Sequence, residues 1–274
     1  MTRRRPSAGA SAPYSLTSRV YDQIYSWKDY AAESRRIRQW VRRFGPAGAS
    51  SLLDVACGSG SHLAYLSRYF EATGVDLNEG MLRVARRKLP RVRFVRGRME
   101  DFRLSARFDV VTCLFSAIGY VHGERDLRRT LANFARHLNP GGVVIVEPWL
   151  SRKVYRAGHV HLGTYGDPRY PIVRMNVARR RGDRSIMDMH HLVATPRGVR
   201  HWVEHHDLGM FDVPTYLSAF RAAGLSPRYL RNGLMKERGV YVARLPTRRT
   251  RAPASRGRRK ARVTRGSSSS RRRP

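Results

Sequence analysis

The chain has 274 residues, 41% of them hydrophobic, with two cysteines and a formal charge of +34. That length supports one well-buried core with room for a small appended subdomain. No uncharged apolar run of about 18 residues is present, so no membrane helix is expected, and the opening MTRRRPSAGASAPY carries arginines without an apolar segment behind them, so it does not read as a secretory signal.

No amphipathic helix follows that opening directly, which argues against a mitochondrial presequence. Cys57 and Cys113 sit in apolar, strand-like surroundings without CxxC spacing and read as reduced structural thiols of a cytoplasmic protein. Between Arg248 and Arg273 there are twelve Lys or Arg residues and no acid, interleaved with Ser, Gly, Pro and Ala. Such a segment cannot bury apolar area, so residues 247–274 are expected to be a disordered tail and residues 1–13 a disordered basic N-terminus. Taking the twelve tail cations and Arg3, Arg4 and Arg5 from +34 leaves +19. A basic tail can associate nonspecifically and salt-dependently with nucleic acid; a solubilising segment is the other reading, and for the body the plainer reading of an Arg-rich composition is preferred.

In chain order, residues 17–44 come first. Ile37, Trp40, Val41 and Phe44 fall at i, i+3, i+4 and i+7, one face of a helix, which Gly45-Pro46 ends. Short apolar runs at 51–55, 72–77, 92–97, 109–115 and 142–149 then alternate with helical segments near 61–69, 79–88 and 124–138. Strands that are apolar throughout and separated by helices argue for a doubly wound α/β sheet whose loops bind ligand at one edge. From about 152 to 210 the rhythm changes to three strands joined by turns at Arg181-Gly182-Asp183 and Pro196-Arg197-Gly198, an inserted antiparallel β-meander. VPTYLSAFRAAG follows as a helix, with Pro214 in its first turn and Gly224 at its C-terminal cap. LSPRYL and GVYVARL make the last two strands. The folded unit is expected over 14–246.

The stretch LLDVACGSGSHL, 52–63, is a strand feeding a Gly-rich turn. Gly58 and Gly60 fit the first two glycines of a dinucleotide fingerprint, but position 63 is Leu, and a phosphate-cradling G-K-[ST] is absent. The turn therefore suits a nucleoside better than a pyrophosphate. Asp54 can orient it or reach an ammonium through water. Asp76, ending the second strand 16 residues after Gly60, can accept both hydroxyls of a ribose. Asp101-Phe102 falls where the edge of an adenine would lie.

This ordered set, with the NPGG turn at 139–142, resembles the class I S-adenosylmethionine (SAM)-dependent methyltransferases over about residues 14–245. YDQIYSWKDY, SLLDVACGSGSHL, FDVVTCLFSAIGYV, GGVVIVEPW, HHLVA, VEHHDLGMF and YLSAFRAAGL resemble more closely the N,N-dimethyltransferases that finish nucleotide-linked amino sugars of the desosamine and mycaminose type. The resemblance implies a Rossmann-like sheet with an N-terminal helical cap. It further implies that Tyr21 and Tyr30 contact SAM from that cap, that Ala56 touches its methionine part, and that Asp76, with Leu77 beside it, binds its ribose. Arg98 and Met99 would flank the adenine, Leu114 would lie beside the cofactor, Tyr14 and Tyr120 would face the acceptor amine, and Glu147 and Trp149 would begin the substrate pocket. The chain departs from the family in three places. Arg98 stands where an adenine-accepting Asp is usual, with its backbone or Glu100 as substitutes. Tyr120 stands at the family's candidate base. LSRKVYR and RNGLMKERG replace the two segments that hold the nucleotide-sugar.

Methyl transfer from a sulfonium to an amine is an in-line displacement in which positioning supplies on the order of 7–11 kcal/mol at best. The amine must be neutral, and with a free alkylamine pKa of about 10 an apolar, aromatic pocket favours that form. Tyr14, Tyr120 and Trp149 can build one, with cation–π attraction to sulfonium or ammonium. His122 is a proton acceptor at neutral pH, or a surface loop histidine. The histidines at 159, 161, 190, 191, 201, 205 and 206 lack the cysteine or carboxylate company of a metal site, so no metal is expected, and Met187 and Met189 read as packing. The expected function is methylation of a small-molecule amine. The alternative is an RNA or protein methyltransferase guided by the basic surface, although no D/N-PP-[FYW] motif follows the fourth strand; a non-catalytic SAM binder is the third reading. A homodimer is left open.

Overall fold

The computed structural model describes residues 17–247; Tyr14, the segment 1–13 and the tail from residue 248 lie outside them. A seven-stranded sheet runs in the order β10-β11-β5-β4-β1-β2-β3. Its strands are β1 (Ser51–Val55), β2 (Glu71–Asp76), β3 (Arg93–Arg96), β4 (Phe108–Cys113), β5 (Leu138–Val146), β10 (Ser226–Leu230) and β11 (Val240–Arg244). The first five pair in parallel, and β11 joins β5 antiparallel and β10 joins β11 antiparallel. Strand order reverses between β1 and β4, which places a ligand crevice at their carboxyl ends.

Alternation within the strands fills both faces. Leu53, Val55, Val111 and Val144 pack under α5 (Gly123–Arg136) and α6 (Val213–Ala222), with Phe134, Tyr216 and Phe220. Leu52, Val110, Val143 and Ile145 pack under α2 (Tyr30–Phe44) and α4 (Glu79–Lys88), with Trp40, Val41 and Leu82. Each such side chain contributes about 1.5–3 kcal/mol on burial.

The helical segment within 17–44 is preceded by a separate cap. A 3₁₀ turn (Thr17–Arg19) and α1 (Tyr21–Ile24) form a cap, and α2 starts afresh at Tyr30 because Asp29 accepts a hydrogen bond from Ala32 N at 2.7 Å. The segment read as 61–69 forms only one turn, α3 (Leu63–Leu66), since Phe70 turns into the core and Glu71 N already bonds Ser50 O. The NPGG turn lies inside β5 as a bulge, with Gly141 at φ 81°, rather than before it.

The insertion is a separate four-stranded antiparallel sheet, β6 (Val160–Tyr165), β7 (Ile172–Arg181), β8 (Arg184–Thr195) and β9 (Gly198–Gly209). Three strands were expected. β6 escapes detection because His161, Gly163 and Tyr165 alternate with exposed Val160 and Leu162, giving no apolar run. The sheet buries polar groups among apolar ones such as Ile172, Met187 and Leu208. Its buried face carries Arg174, Asn176, His191, Glu204 and His206, whereas Val160, Leu162, Met175, Val177 and Val203 are exposed.

Candidate active site

After β1 the chain turns through Ala56 (φ 58°), Gly58 (φ 57°) and Gly60 (φ 76°). Ala56 is strained there, at roughly 1–2 kcal/mol for a residue with a Cβ, a cost typical of functional turns. The two glycines act differently. A Cβ on Gly58 would meet nothing within 4 Å, so that position needs only the left-handed backbone, whereas one on Gly60 would press on Leu89 and Ala85 at 3.3 and 3.4 Å. Gly60 thus packs the turn against α4 and does not line the crevice.

Asp76 closes the turn. Its Oδ2 accepts from Gly58 N and its Oδ1 from Asn78 N, both at 2.8 Å. Asp76 lines a cleft of about 500 Å³. Burial raises its pKa, against the pull of the backbone amides. Leu77, Met99 and Gly97 form an apolar slot beside it, and Leu114 continues the wall past the end of β4. Arg98 also lines the slot, but its guanidinium turns 61% exposed toward Glu100, 3.4 Å away, so only its backbone and stem face the slot. Asp101 is instead on the surface, paired with Arg129 at 2.7 Å, and Phe102 is in the core stacked on His137; neither reaches the cleft.

The cap covers the other side. Tyr21 and Tyr25 line the cleft with rings 4.6 Å apart. Asp22 fastens the cap to the Gly-rich turn, accepting from Ser59 Oγ at 2.6 Å and Ser61 Oγ at 3.2 Å and pairing with Lys88 at 2.7 Å. Tyr30 lies behind this layer, edge-on to His62 at 4.9 Å, and burial raises its hydroxyl pKa. It is outside the cleft, contrary to its expected SAM contact. Asp54 is also beneath the floor. It is 2% exposed, accepts from Thr112 Oγ1 at 2.7 Å, and is pushed up to about 6 by burial despite His62 and Thr112.

The lip after β4 holds two consecutive left-handed residues, Phe115 (φ 50°) and Ser116 (φ 62°). Glu147, expected to meet substrate, holds this lip from below. It is fully buried and its Oε2 accepts from Phe115 N at 2.7 Å. Burial raises its pKa, opposed by Lys28 and Arg238. Ser116 Oγ donates to Pro148 O at 2.6 Å and accepts from Arg238 Nη1 at 2.7 Å. Trp149 lines the cleft beneath Arg238, 4.7 Å from the ring centroid.

The inserted sheet makes the far wall with Met187, Met189 and Leu208, so the methionine pair is part of the cleft and not mere packing. Two polar groups there had no distinguishing sequence signal: Arg174, 8% exposed, which donates to Tyr25 Oη at 2.9 Å, and Arg238. Tyr120 lies in the cleft with its hydroxyl 2.7 Å from Nδ1 of His206. His122, read as a proton acceptor or a surface loop histidine, faces away from the cleft and is partly exposed. Its Nε2 donates to the Asp207 backbone carbonyl at 2.8 Å, and burial and Arg184 lower its pKa. Only alternation on β9 hinted at His206, by setting it opposite in face to His201 and His205.

The cleft therefore brings together Tyr21, Ala56, Gly58, Asp76, Leu77, Arg98, Met99, Leu114, Tyr120 and Trp149. It leaves out Tyr30, Asp54, Gly60, His122 and Glu147.

Residues 52–142 match the family described as "Methyltransferase domain". The dTDP-3-amino-3,4,6-trideoxy-alpha-D-glucopyranose N,N-dimethyltransferase of Streptomyces venezuelae is 41% identical over 227 residues, 81% of this chain and 95% of that protein. The sugar N-methyltransferase KedS8 from Streptoalloteichus is 36% identical with a TM-score of 0.81, covering 90% of this chain and 99% of that one. SAM-bound CalS10, an amino pentose methyltransferase from Micromonospora echinaspora, is 33% identical with a TM-score of 0.75, covering 82% and 96%. With this strand order and Gly-rich turn, and with these relatives, the chain belongs to the class I SAM-dependent methyltransferases, within the family of the amino-sugar N,N-dimethyltransferases.

Proposed function

We propose that this chain methylates the amino group of a nucleotide-linked amino sugar. The observation that carries the reading is the continuity of one cleft from the Asp76 slot to a chamber walled by Trp149, Met187 and Met189 and bordered by Arg174 and Arg238. SAM supplies a methyl group on a sulfonium, which is already activated for departure. Asp76 accepts the ribose hydroxyls, Leu77 and Met99 sandwich the adenine, and the turn from Ala56 to Gly58 approaches the methionine part. Leu114 and Tyr120 lie where the two arms meet. The chamber walls exclude water from the acceptor nitrogen and favour its neutral form. The two arginines suit an acceptor bearing phosphate, and the named substrates of the similar dimethyltransferases are dTDP-sugars.

Radiolabelled SAM offered with dTDP-3-amino-3,4,6-trideoxyglucose, a plain alkylamine and total RNA tests this reading. Label is expected in the nucleotide-sugar. Label in RNA that survives deletion of residues 248–274 would overturn it in favour of the basic-surface alternative.

A further inference from the structure

Behind the chamber, the buried face of the inserted sheet carries a line of groups that the positioning chemistry above does not use. Tyr120, on the loop after β4, meets Nδ1 of His206 on β9 at 2.7 Å. On the same strand, two residues away and therefore on the same face, Glu204 places Oε2 3.6 Å from Nε2 of His206. Both His206 and Glu204 are buried, at 3% and 7% exposure, although neither belongs to the apolar core. A phenol in the cleft is thus backed by an imidazole and a carboxylate.

We propose that Tyr120, His206 and Glu204 form a relay that removes the proton from the acceptor ammonium before each methyl transfer. This rests on the amine-acceptor reading given above. The neutral imidazole carries its proton on Nε2, toward Glu204, and its Nδ1 lone pair faces the Tyr120 hydroxyl. The acceptor N–H bond breaks and its proton joins the Tyr120 oxygen. In the same movement the Tyr120 O–H bond breaks and that proton joins His206 Nδ1. The products are a neutral amine with a free lone pair and an imidazolium held against the Glu204 carboxylate. Once the methylated product leaves, the imidazolium gives its proton to solvent. No electrons are exchanged with any other group, and a second methylation repeats the cycle on the secondary ammonium.

The surroundings support the charge pattern this requires. Burial works against a charged Glu204, but the neighbouring His206 and the Thr17 hydroxyl outweigh it and keep its pKa lowered. Other titratable or charged groups around this pair, among the described residues, are His191 on β8, Arg174 on β7, and Tyr25 of the cap. Burial lowers His191 to about 4, so at neutral pH it stays uncharged and does not compete with His206 for Glu204. Arg174 is occupied by Tyr25 and Tyr165. Glu204 Oε2 thus faces the positive charge created on His206. Tyr120 would be the catalytic residue, touching the amine, while His206 and Glu204 act through it.

The test is the pH dependence of kcat on dTDP-3-amino-3,4,6-trideoxyglucose for the wild type, Tyr120→Phe, His206→Asn and Glu204→Gln. Each variant should lose on the order of 10²-fold in kcat near neutral pH, with little change in SAM affinity by calorimetry. The deficit should shrink as pH rises toward and past about 10, where half or more of the free amine is neutral without help. A deficit equal at every pH, or a wild-type profile retained by His206→Asn and Glu204→Gln, would overturn the relay. If His206→Asn does not fold, as judged by SAM binding, Glu204→Gln and Tyr120→Phe decide alone. A wild type that binds SAM and leaves the amino sugar unmethylated would sink the acceptor reading, and the relay with it.

Discussion

Replacing Asp76 by alanine should strip this protein of most of its affinity for SAM. The carboxylate is fixed by the amides of Gly58 and Asn78, each at 2.8 Å, and lines the cleft. Two ribose hydroxyls bonded to a charged acceptor contribute about 1.5–3 kcal/mol each, hence about 3–6 kcal/mol together. At about 1.4 kcal/mol per decade this is a loss on the order of 10²–10⁴ in Kd. Asp76→Asn keeps the shape and one acceptor oxygen and should fall between. Protonation removes acceptor capacity in the same way, and burial has raised the pKa of this acid above its ordinary 3.8. SAM affinity should therefore decline as pH falls through that raised value in the wild type, earlier than for an ordinary carboxylate, and Asp76→Asn should lack this decline. Calorimetric titration of SAM across pH reads both effects. An unchanged Kd in Asp76→Ala would refute the assignment of the ribose to this carboxylate.

Asp54 bears on stability in the opposite sense. Its pKa is about 6 in the fold against 3.8 for the free acid, so its contribution is complete below the lower value and is lost as pH rises to the upper one. The loss is on the order of 3 kcal/mol at about 1.36 kcal/mol per pH unit. Asp54→Asn can still accept from Thr112 and should raise Tm near neutral pH while matching the wild type in acid; a lower neutral-pH Tm counts against this. Asp22 ties the cap to the Gly-rich turn through Ser59, Ser61 and Lys88. Asp22→Ala should speed SAM dissociation about tenfold, the equivalent of about 1.4 kcal/mol, measured by stopped-flow chase with unlabelled SAM, and an unaltered off-rate would show that the cap is held elsewhere.

Much of this architecture is legible in the residues. β1 and α4 fall where their apolar periodicity places them, at Ser51–Val55 and Glu79–Lys88, and the side chains of Asn78 and Asp212 cap α4 and α6 as such residues do. The half of the cleft around Asp76 is also readable as a cleft, because its residues cluster at strand ends that sequence spacing locates. The half walled by the inserted sheet is not. Arg174 shares its strand face with Asn176 and Ala178, and alternation alone reads this as a solvated polar face. In the fold that face is the buried one, and the apolar residues between them are exposed. Tyr120 and His206 are 86 residues apart, so their contact exists only once the inserted sheet folds over the cleft. His122 and Glu147 look chemical in sequence, but one is drawn to the Asp207 carbonyl and the other is occupied in holding the strained turn at Phe115. Local pattern shows that such residues are near strand ends; it does not show which way a side chain points after the backbone has claimed its hydrogen bonds.

The most direct measurement is an NMR spectrum of the nucleotide-sugar after incubation with this protein and methyl-labelled SAM. Labelled methyl resonances coupled through the sugar nitrogen are expected with the wild type and should be strongly reduced with Asp76→Ala. Methyl resonances on oxygen or carbon of the acceptor, or none while SAM is bound, would contradict methylation of the sugar nitrogen.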